Sequence, residues 1–132
     1  MSDLRVPVCQ QPLVWEDKSA NLKFWEETLR PLKGQTDLIV LPEMFTPGVT
    51  MNVGALAENM DGTAVAWLRR ISAELGATIT GSAIIENASN YYNRMLWAFP
   101  DGNITWYDKR HRFSFADEDK FFTAGKERVL ID

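Results

Sequence analysis

The chain has 132 residues, of which 45% are hydrophobic and 24% charged, with a formal net charge of −4 and one cysteine. This composition excludes a collagen or a disordered chain, the negative charge argues against a nucleic-acid partner, and the apolar runs are far shorter than the ~18 residues of a membrane span. The lone Cys9 cannot form an internal disulfide and the N-terminus lacks a signal-peptide pattern, so we expect one domain, or part of one, in a reducing cytoplasm.

The first half of the chain predicts a strand, a helix and a second strand, followed by a long loop. Residues 4–10 alternate between apolar and polar side chains, as a strand does, and residues 22–29 carry an apolar stripe with helical spacing. Residues 37–41 form a compact apolar run that is typical of a buried strand. Proline and glycine interrupt residues 42–60, and loops of this length are usually functional or disordered.

The second half predicts one helix and three strands. Residues 63–75 carry an apolar stripe, and Gly76 stands where a left-handed C-terminal cap belongs. Residues 78–86, 91–99 and 104–108 predict the strands, with turn residues between them. Strands joined through helices pair in parallel and strands of a hairpin pair antiparallel, so the fold class is α/β with a mixed sheet.

Glu43 is the first candidate for chemistry. It follows a predicted buried strand, in residues 41–45 (LPEMF), and ligands gather at the carboxyl ends of strands in sheets of this type. A carboxylate in this place, among apolar neighbours, suits a general acid or base. From this segment alone, a carboxylate that points into solvent or caps a turn stays an open alternative.

Lys109 is the second candidate, because it also follows a predicted strand. Its ammonium group can stabilise an oxyanion, although a solvated basic cluster that balances nearby acids explains the position as well. The only histidine, His111, belongs to the same cluster. A lone histidine is more often structural, and no residues with metal-ligand spacing accompany it, so we predict no metal site.

Taken together, three segments resemble the nitrilase superfamily of carbon–nitrogen hydrolases, and within it the omega-amidase-like branch. These segments are residues 41–45 (LPEMF), residues 107–111 (YDKRH), and Glu118 followed by residues 121–125 (FFTAG). The resemblance extends over nearly the whole chain, through Asn93 to Gly125. Each motif alone is moderately specific, and their order and spacing on this pattern of strands and helices carry the match.

The resemblance implies an αββα sandwich that is incomplete in this chain, with residues 1–132 as the N-terminal part of a single domain. It also implies a Cys-Glu-Lys catalytic set that needs no cofactor. Glu43 would then be the general base and later the acid, and Lys109 would hold the oxyanion. Glu118 would orient Lys109 and the substrate, although the acidic residues on either side of it leave a slip of one residue open.

The nucleophile that the resemblance implies is not among these residues. In the family the cysteine follows the lysine, at a turn after a later strand, whereas Cys9 precedes both Glu43 and Lys109. We expect Cys9 to be an inert, buried thiol, since no adjacent base or helix N-terminus lowers its pKa. The chain alone is therefore not expected to be active.

Three hypotheses about function remain. The first is an omega-amidase-like hydrolase that cleaves the terminal amide of a small dicarboxylate monoamide, such as a 2-oxo acid amide. The second is an inactive nitrilase-like remnant that serves as a binding or interaction module. The third, an unrelated α/β domain in which Glu43 and Lys109 are structural, is disfavoured by the combined motifs. The expected partners are a small amide substrate and either a second copy, as in a dimer, or a C-terminal half, but neither nucleic acid nor membrane.

Overall fold

The computed structural model describes residues 2–132, which form a four-stranded mixed sheet with the strand order β1-β2-β3-β4. The strands are β1 (Leu38–Val40), β2 (Thr78–Asn87), β3 (Asn90–Ala98) and β4 (Ile104–Asp108). β1 pairs with β2 in parallel, and the β2–β3 and β3–β4 pairs are antiparallel. The mixed sheet that the sequence predicts is confirmed.

In the described part of the chain, four α-helices accompany the sheet: α1 (Lys18–Leu29), α2 (Val53–Leu56), α3 (Thr63–Leu75) and α4 (Glu118–Phe121). α1 begins where the Asp17 side chain accepts a hydrogen bond from the Ala20 N–H, and Pro31 lies in the turn that ends it. α3 ends at Gly76, which adopts a left-handed conformation with φ 65°, as predicted. Within residues 2–132, no helix has the length and apolar character needed to cross a membrane.

The prediction of a full strand over residues 4–10 is wrong. Within this segment only Val8 forms a strand-like bridge, and its partner is Val40 in β1. The Cys9 N–H donates to the Val40 carbonyl, and the Pro7 carbonyl accepts from the Val40 N–H. Pro7 has no N–H of its own to donate, and a proline inside a strand pattern restricts that segment to a sheet edge.

The main hydrophobic core lies between one face of the sheet and helices α1 and α3. Its largest fully buried members include Trp25, Leu29, Phe45, Leu68 and Ile71. Because side chains alternate along a strand, the opposite face carries Ser82, Asn93, Met95 and Tyr107. That face is more open, since Met95 is 37% exposed. The candidate site lies on this second face.

Candidate functional site

Glu43 lies in a tight turn that begins three residues after the end of β1, and Ser82 of β2 holds that turn in place. Met44 adopts the left-handed conformation, with φ 48°, and its N–H donates to Ser82 Oγ at 2.8 Å. The next N–H, that of Phe45, donates to the Ser82 carbonyl at 3.0 Å. The neighbouring Gly81 is needed here because a Cβ atom would lie 2.9 Å from Cδ1 of Phe45. The main chain thus fixes the direction in which the Glu43 side chain leaves the sheet.

Glu43 does not lie among apolar side chains, so that expectation from the sequence is wrong. Its side chain is 49% exposed and contacts Lys109 and Asn93. The apolar residues that follow it in sequence, Met44 and Phe45, turn into the interior and are 1% and 0% exposed. The carboxylate therefore faces a polar cluster at the edge of a cavity.

Lys109 directly follows β4 and is held there by main-chain hydrogen bonds on both sides. Its N–H donates to the Asn93 carbonyl in β3, and its carbonyl accepts from the Gly125 N–H, both at 3.0 Å. The ammonium Nζ lies 2.9 Å from Glu43 Oε1 and 3.0 Å from Glu118 Oε2. Lys109 thereby joins the two carboxylates, which are separated by 75 residues in sequence (118 minus 43).

Glu118 is the first residue of α4, and only 2% of it is exposed. Its Oε2 accepts from the Phe113 N–H at 2.6 Å, and its Oε1 accepts from Asn93 Nδ2 at 3.1 Å. The preceding acid, Asp117, forms a surface ion pair with Lys120 instead. Of the adjacent acids, the structure therefore brings Glu118 to Lys109.

Two pKa shifts describe the charge state of this cluster. Burial lowers the pKa of Lys109, but its hydrogen bonds to Glu43 and Glu118 outweigh burial, so the pKa lies above the ordinary lysine value. Burial raises the pKa of Glu118, but the hydrogen bonds from Phe113, Lys109 and Asn93 outweigh it and hold that pKa below the ordinary value. Lys109 is therefore an ammonium and Glu118 a carboxylate near neutral pH.

A cavity of about 230 Å³ opens beside the ion pairs. The residues that line it are Leu41, Glu43, Gly81, Ser82, Asn93, Met95, Tyr107 and Lys109. An ammonium group has three N–H donors, and Lys109 uses two of them for the carboxylates, so one remains for a ligand oxygen. A cavity lined by both apolar and polar residues, with a base and a cation on one side, can bind a small polar molecule and stabilise charge that develops on it.

Cys9 lies apart from this cavity. It is partly buried and packs against the core on the helix side of the sheet, and burial raises the pKa of its thiol. It does not line the cavity that contains Glu43 and Lys109. A raised pKa disfavours the thiolate, so its surroundings are those of an unreactive cysteine.

Asn93 and Ser82 have contacts in the site that sequence reasoning does not assign. Asn93 donates from Nδ2 to both Glu43 and Glu118, and Ser82 supports the turn that carries Glu43. The alternation over residues 91–99 places Asn93 on the same face as Met95. The alternation shows that the two residues share a face of the sheet. It does not show which groups hydrogen-bond to the amide of Asn93.

Comparisons with known proteins give a matching family and several similar proteins. The model of the carbon–nitrogen hydrolase family matches residues 5–130. An omega-amidase, YafV of Yersinia enterocolitica, is 43% identical over all of this chain and 51% of its own length. A 2-oxoglutaramate amidase of Bacillus subtilis is 33% identical over 83% of the chain and 43% of its own length.

A solved structure has the same fold as this chain. XC1258 of Xanthomonas campestris, described as a CN-hydrolase superfamily protein with an arsenic adduct in its active site, superposes with a TM-score of 0.94 and 45% identity. The superposition covers 100% of this chain and 50% of that one. The chain thus spans about half the length of the relatives that it matches.

Proposed function

Because this chain belongs to the carbon–nitrogen hydrolase family, the nitrilase superfamily, we propose that it forms the N-terminal part of a single amidase domain. The observation that carries the proposal is the position of Lys109 Nζ, within 3.0 Å of both Glu43 and Glu118 at the edge of a cavity. A base beside a fixed cation is the arrangement that amide hydrolysis requires, since the reaction moves protons and passes through an oxyanion.

The substrate class that we propose is the monoamide of a small dicarboxylic acid, cleaved at its terminal amide. Two similar proteins support this class by name, as an omega-amidase and a 2-oxoglutaramate amidase. The cavity of about 230 Å³ suits a substrate with few carbon atoms. We further propose that the complete hydrolase is cytoplasmic and assembles as a dimer.

Acylation begins with a cysteine thiol of the complete hydrolase. Glu43 takes the thiol proton, the sulfur forms a bond to the amide carbon, and the carbonyl oxygen becomes an oxyanion. The remaining N–H donor of Lys109 stabilises that oxyanion, an effect worth about 3 kcal/mol per donor in comparable sites. Collapse of this intermediate breaks the C–N bond while Glu43 returns its proton to nitrogen, so ammonia leaves and a thioester remains.

Deacylation uses the same groups. Water attacks the thioester carbon, and Glu43 accepts one of its protons. The second oxyanion again lies next to Lys109, and its collapse breaks the C–S bond. Glu43 returns its proton to the departing sulfur. The products are a free dicarboxylic acid and the regenerated thiol.

We propose that the nucleophile is supplied by sequence outside these 132 residues. Cys9 packs on the helix side of the sheet, whereas Glu43 and Lys109 face the cavity on the other side. A thiol must come within hydrogen-bond reach of its base to be activated. The open sheet face next to the cavity leaves room for such a residue.

The test is ammonia release from a panel of dicarboxylate monoamides by the complete hydrolase that contains this chain. Glu43→Gln keeps the shape of the side chain but removes the base, so we expect turnover to fall by about 10²–10⁴-fold. Glu27→Gln, which changes an exposed carboxylate on α1, is the matched control and should leave turnover unchanged.

Two results would contradict the proposal. Turnover of Glu43→Gln within about threefold of wild type would remove Glu43 from the proton-transfer steps. A wild-type protein that binds dicarboxylates but releases no ammonia from any monoamide would favour the inactive binding module over the amidase.

A further inference from the structure

The side chain of Asn93 lies between the two carboxylates of the site. It is 3% exposed, and its Nδ2 atom is 2.7 Å from Glu43 Oε1 and 3.1 Å from Glu118 Oε1. β3 presents it next to Lys109, because the Asn93 carbonyl accepts the Lys109 N–H. A neutral residue thus occupies the centre of a group of three charges.

The chemistry of the neighbours fixes the orientation of this amide. Ionised carboxylates only accept hydrogen bonds, so the NH₂ group must face Glu43 and Glu118. That group has two hydrogens, and each has one carboxylate partner. The donor capacity of Asn93 is therefore used completely by the two acids, and none is left for a substrate.

Donors occupy three of the four carboxylate oxygens in the site. Glu118 Oε1 accepts from Asn93, and Glu118 Oε2 accepts from Lys109 and from the Phe113 N–H. Glu43 Oε1 accepts from both Asn93 and Lys109. Of these four carboxylate oxygens, Glu43 Oε2 is the one that accepts no hydrogen bond from residues 2–132.

We propose that Asn93 is a positioning residue that, with Lys109, immobilises Glu43 through Oε1 and leaves Oε2 as the atom that exchanges protons with the nucleophile, the leaving group and water. This inference rests on the proposed amidase function. An oxygen that already accepts two hydrogen bonds is a poor proton acceptor, whereas the second oxygen of the same carboxylate is held at a fixed place and is available.

Asn93 also separates the roles of the two acids. Its second hydrogen bond fixes Glu118, whose two oxygens are then both engaged, so Glu118 stays a carboxylate that supports Lys109. The titratable groups that face Asn93 and the cavity are Glu43, Lys109, Glu118 and the phenol of Tyr107. Asn93 is neutral, and it therefore fixes the positions of Glu43 and Glu118 without adding a charge.

Two substitutions test the proposal in the complete hydrolase. Asn93→Asp keeps the shape but replaces the donor with a third acid, and Asn93→Ser adds no charge but replaces the two amide hydrogens with one hydroxyl hydrogen on a shorter side chain, which cannot serve both carboxylates. For each we expect kcat of ammonia release to fall by about 10²-fold or more while KM changes by less than about threefold, because proton transfer is affected and not binding. The acidic limb of the pH–kcat profile should move to higher pH, because Glu118, which supports Lys109, loses the Asn93 hydrogen bond that helps to lower its pKa.

The matched control is Asn103→Asp. Asn103 Nδ2 also donates to a carboxylate, Asp101 Oδ2 at 2.8 Å, but in an exposed turn away from the site. This variant should keep the kcat and the pH profile of wild type. All rates are normalised to folded enzyme, measured by circular dichroism, and Asn93→Ser carries the test if Asn93→Asp does not fold.

The outcomes separate this inference from the function on which it rests. Suppose that wild type is active and that either Asn93 variant folds and keeps the kcat and the pH profile of wild type. This result would overturn the role of Asn93 and leave the amidase function standing. A wild type that releases no ammonia would overturn both. A large fall in kcat with an unchanged KM and a shifted acidic limb supports the assignment.

Discussion

At the scale of single residues, Glu118 carries a charge at a place where only 2% of the residue is exposed. Burial alone would favour the neutral acid, but three donors stabilise the carboxylate: the Phe113 N–H, Lys109 and Asn93. Hydrogen bonds from three donors to one buried carboxylate fix the positions of the donors as well as that of the carboxylate. Glu118 therefore links α4 to β3, through Asn93, and to the end of β4, through Lys109.

This arrangement predicts a pH-dependent contribution to stability. Glu118→Gln removes hydrogen bonds to a charged group, which should lower the free energy of unfolding of the complete hydrolase by about 2 kcal/mol at neutral pH. The pKa of Glu118 is lowered by folding, so its contribution is complete above the unfolded value of about 4.3 and is lost as the pH falls through the folded value. Denaturant unfolding of wild type and variant between pH 7 and pH 3 measures the difference, which should shrink below about pH 4.3.

A difference that stays constant over this pH range would show that the folded state does not stabilise the ionised form of Glu118. Asp119→Asn changes the exposed neighbouring acid and is the control for the loss of a negative charge in α4. We expect that variant to remain close to wild type at every pH, because an exposed single charge contributes little.

At the scale of elements, the turn after β1 determines where Glu43 points. The N–H of Met44 is buried with its side chain, and Ser82 Oγ is its acceptor. The left-handed conformation of Met44 is one that non-glycine residues adopt at a cost, so the turn needs this support from β2.

Ser82→Ala tests that support. The substitution leaves a buried N–H without its acceptor and should destabilise the complete hydrolase by about 1–3 kcal/mol. It should also lower ammonia release, because Glu43 is no longer held by a fixed turn. Thr28→Ala, which removes a hydroxyl bonded to a carbonyl within α1, is the control for losing a hydroxyl outside the site. Unchanged melting temperature and turnover in Ser82→Ala would contradict the account of the turn.

Most elements could be predicted from the sequence, because their signals are local. The stripe over residues 63–75 with Gly76 after it predicts α3 at the bounds that the structure has. The strand over residues 4–10 fails because Pro7 removes one donor, a local signal that the alternation obscured. The short helix α2, inside the long loop of residues 42–60, has no periodicity long enough to detect.

The site could be predicted only in part, because its contacts depend on residues that are far apart in sequence. Glu43 and Lys109 are candidates because each follows a predicted strand, and the resemblance of motifs adds Glu118. The structure brings the three side chains together. The contacts of Asn93 depend on the antiparallel register of β3 with β2 and β4, which periodicity does not specify. The polar surroundings of Glu43 likewise follow from which side chains the turn sends inward.

At the scale of the whole molecule, the sheet has one covered face and one more open face. The helix side is a continuous core, while the other side exposes 37% of Met95 beside the cavity with Glu43 and Lys109. Since the chain spans about half the length of the relatives it matches, we propose that the remaining half covers this face and brings the nucleophile to Glu43. The polar residues of the site would then be shielded from water. Charge stabilisation by fixed donors is stronger in a site that excludes water.

The measurement that decides this account is the location of the acyl group during turnover. The complete hydrolase is mixed with a dicarboxylate monoamide, quenched in acid, digested and analysed by mass spectrometry. The account predicts an adduct with the mass of the substrate less ammonia, on a cysteine other than Cys9. An adduct on Cys9, or ammonia release with no acyl-enzyme at any time, would contradict it.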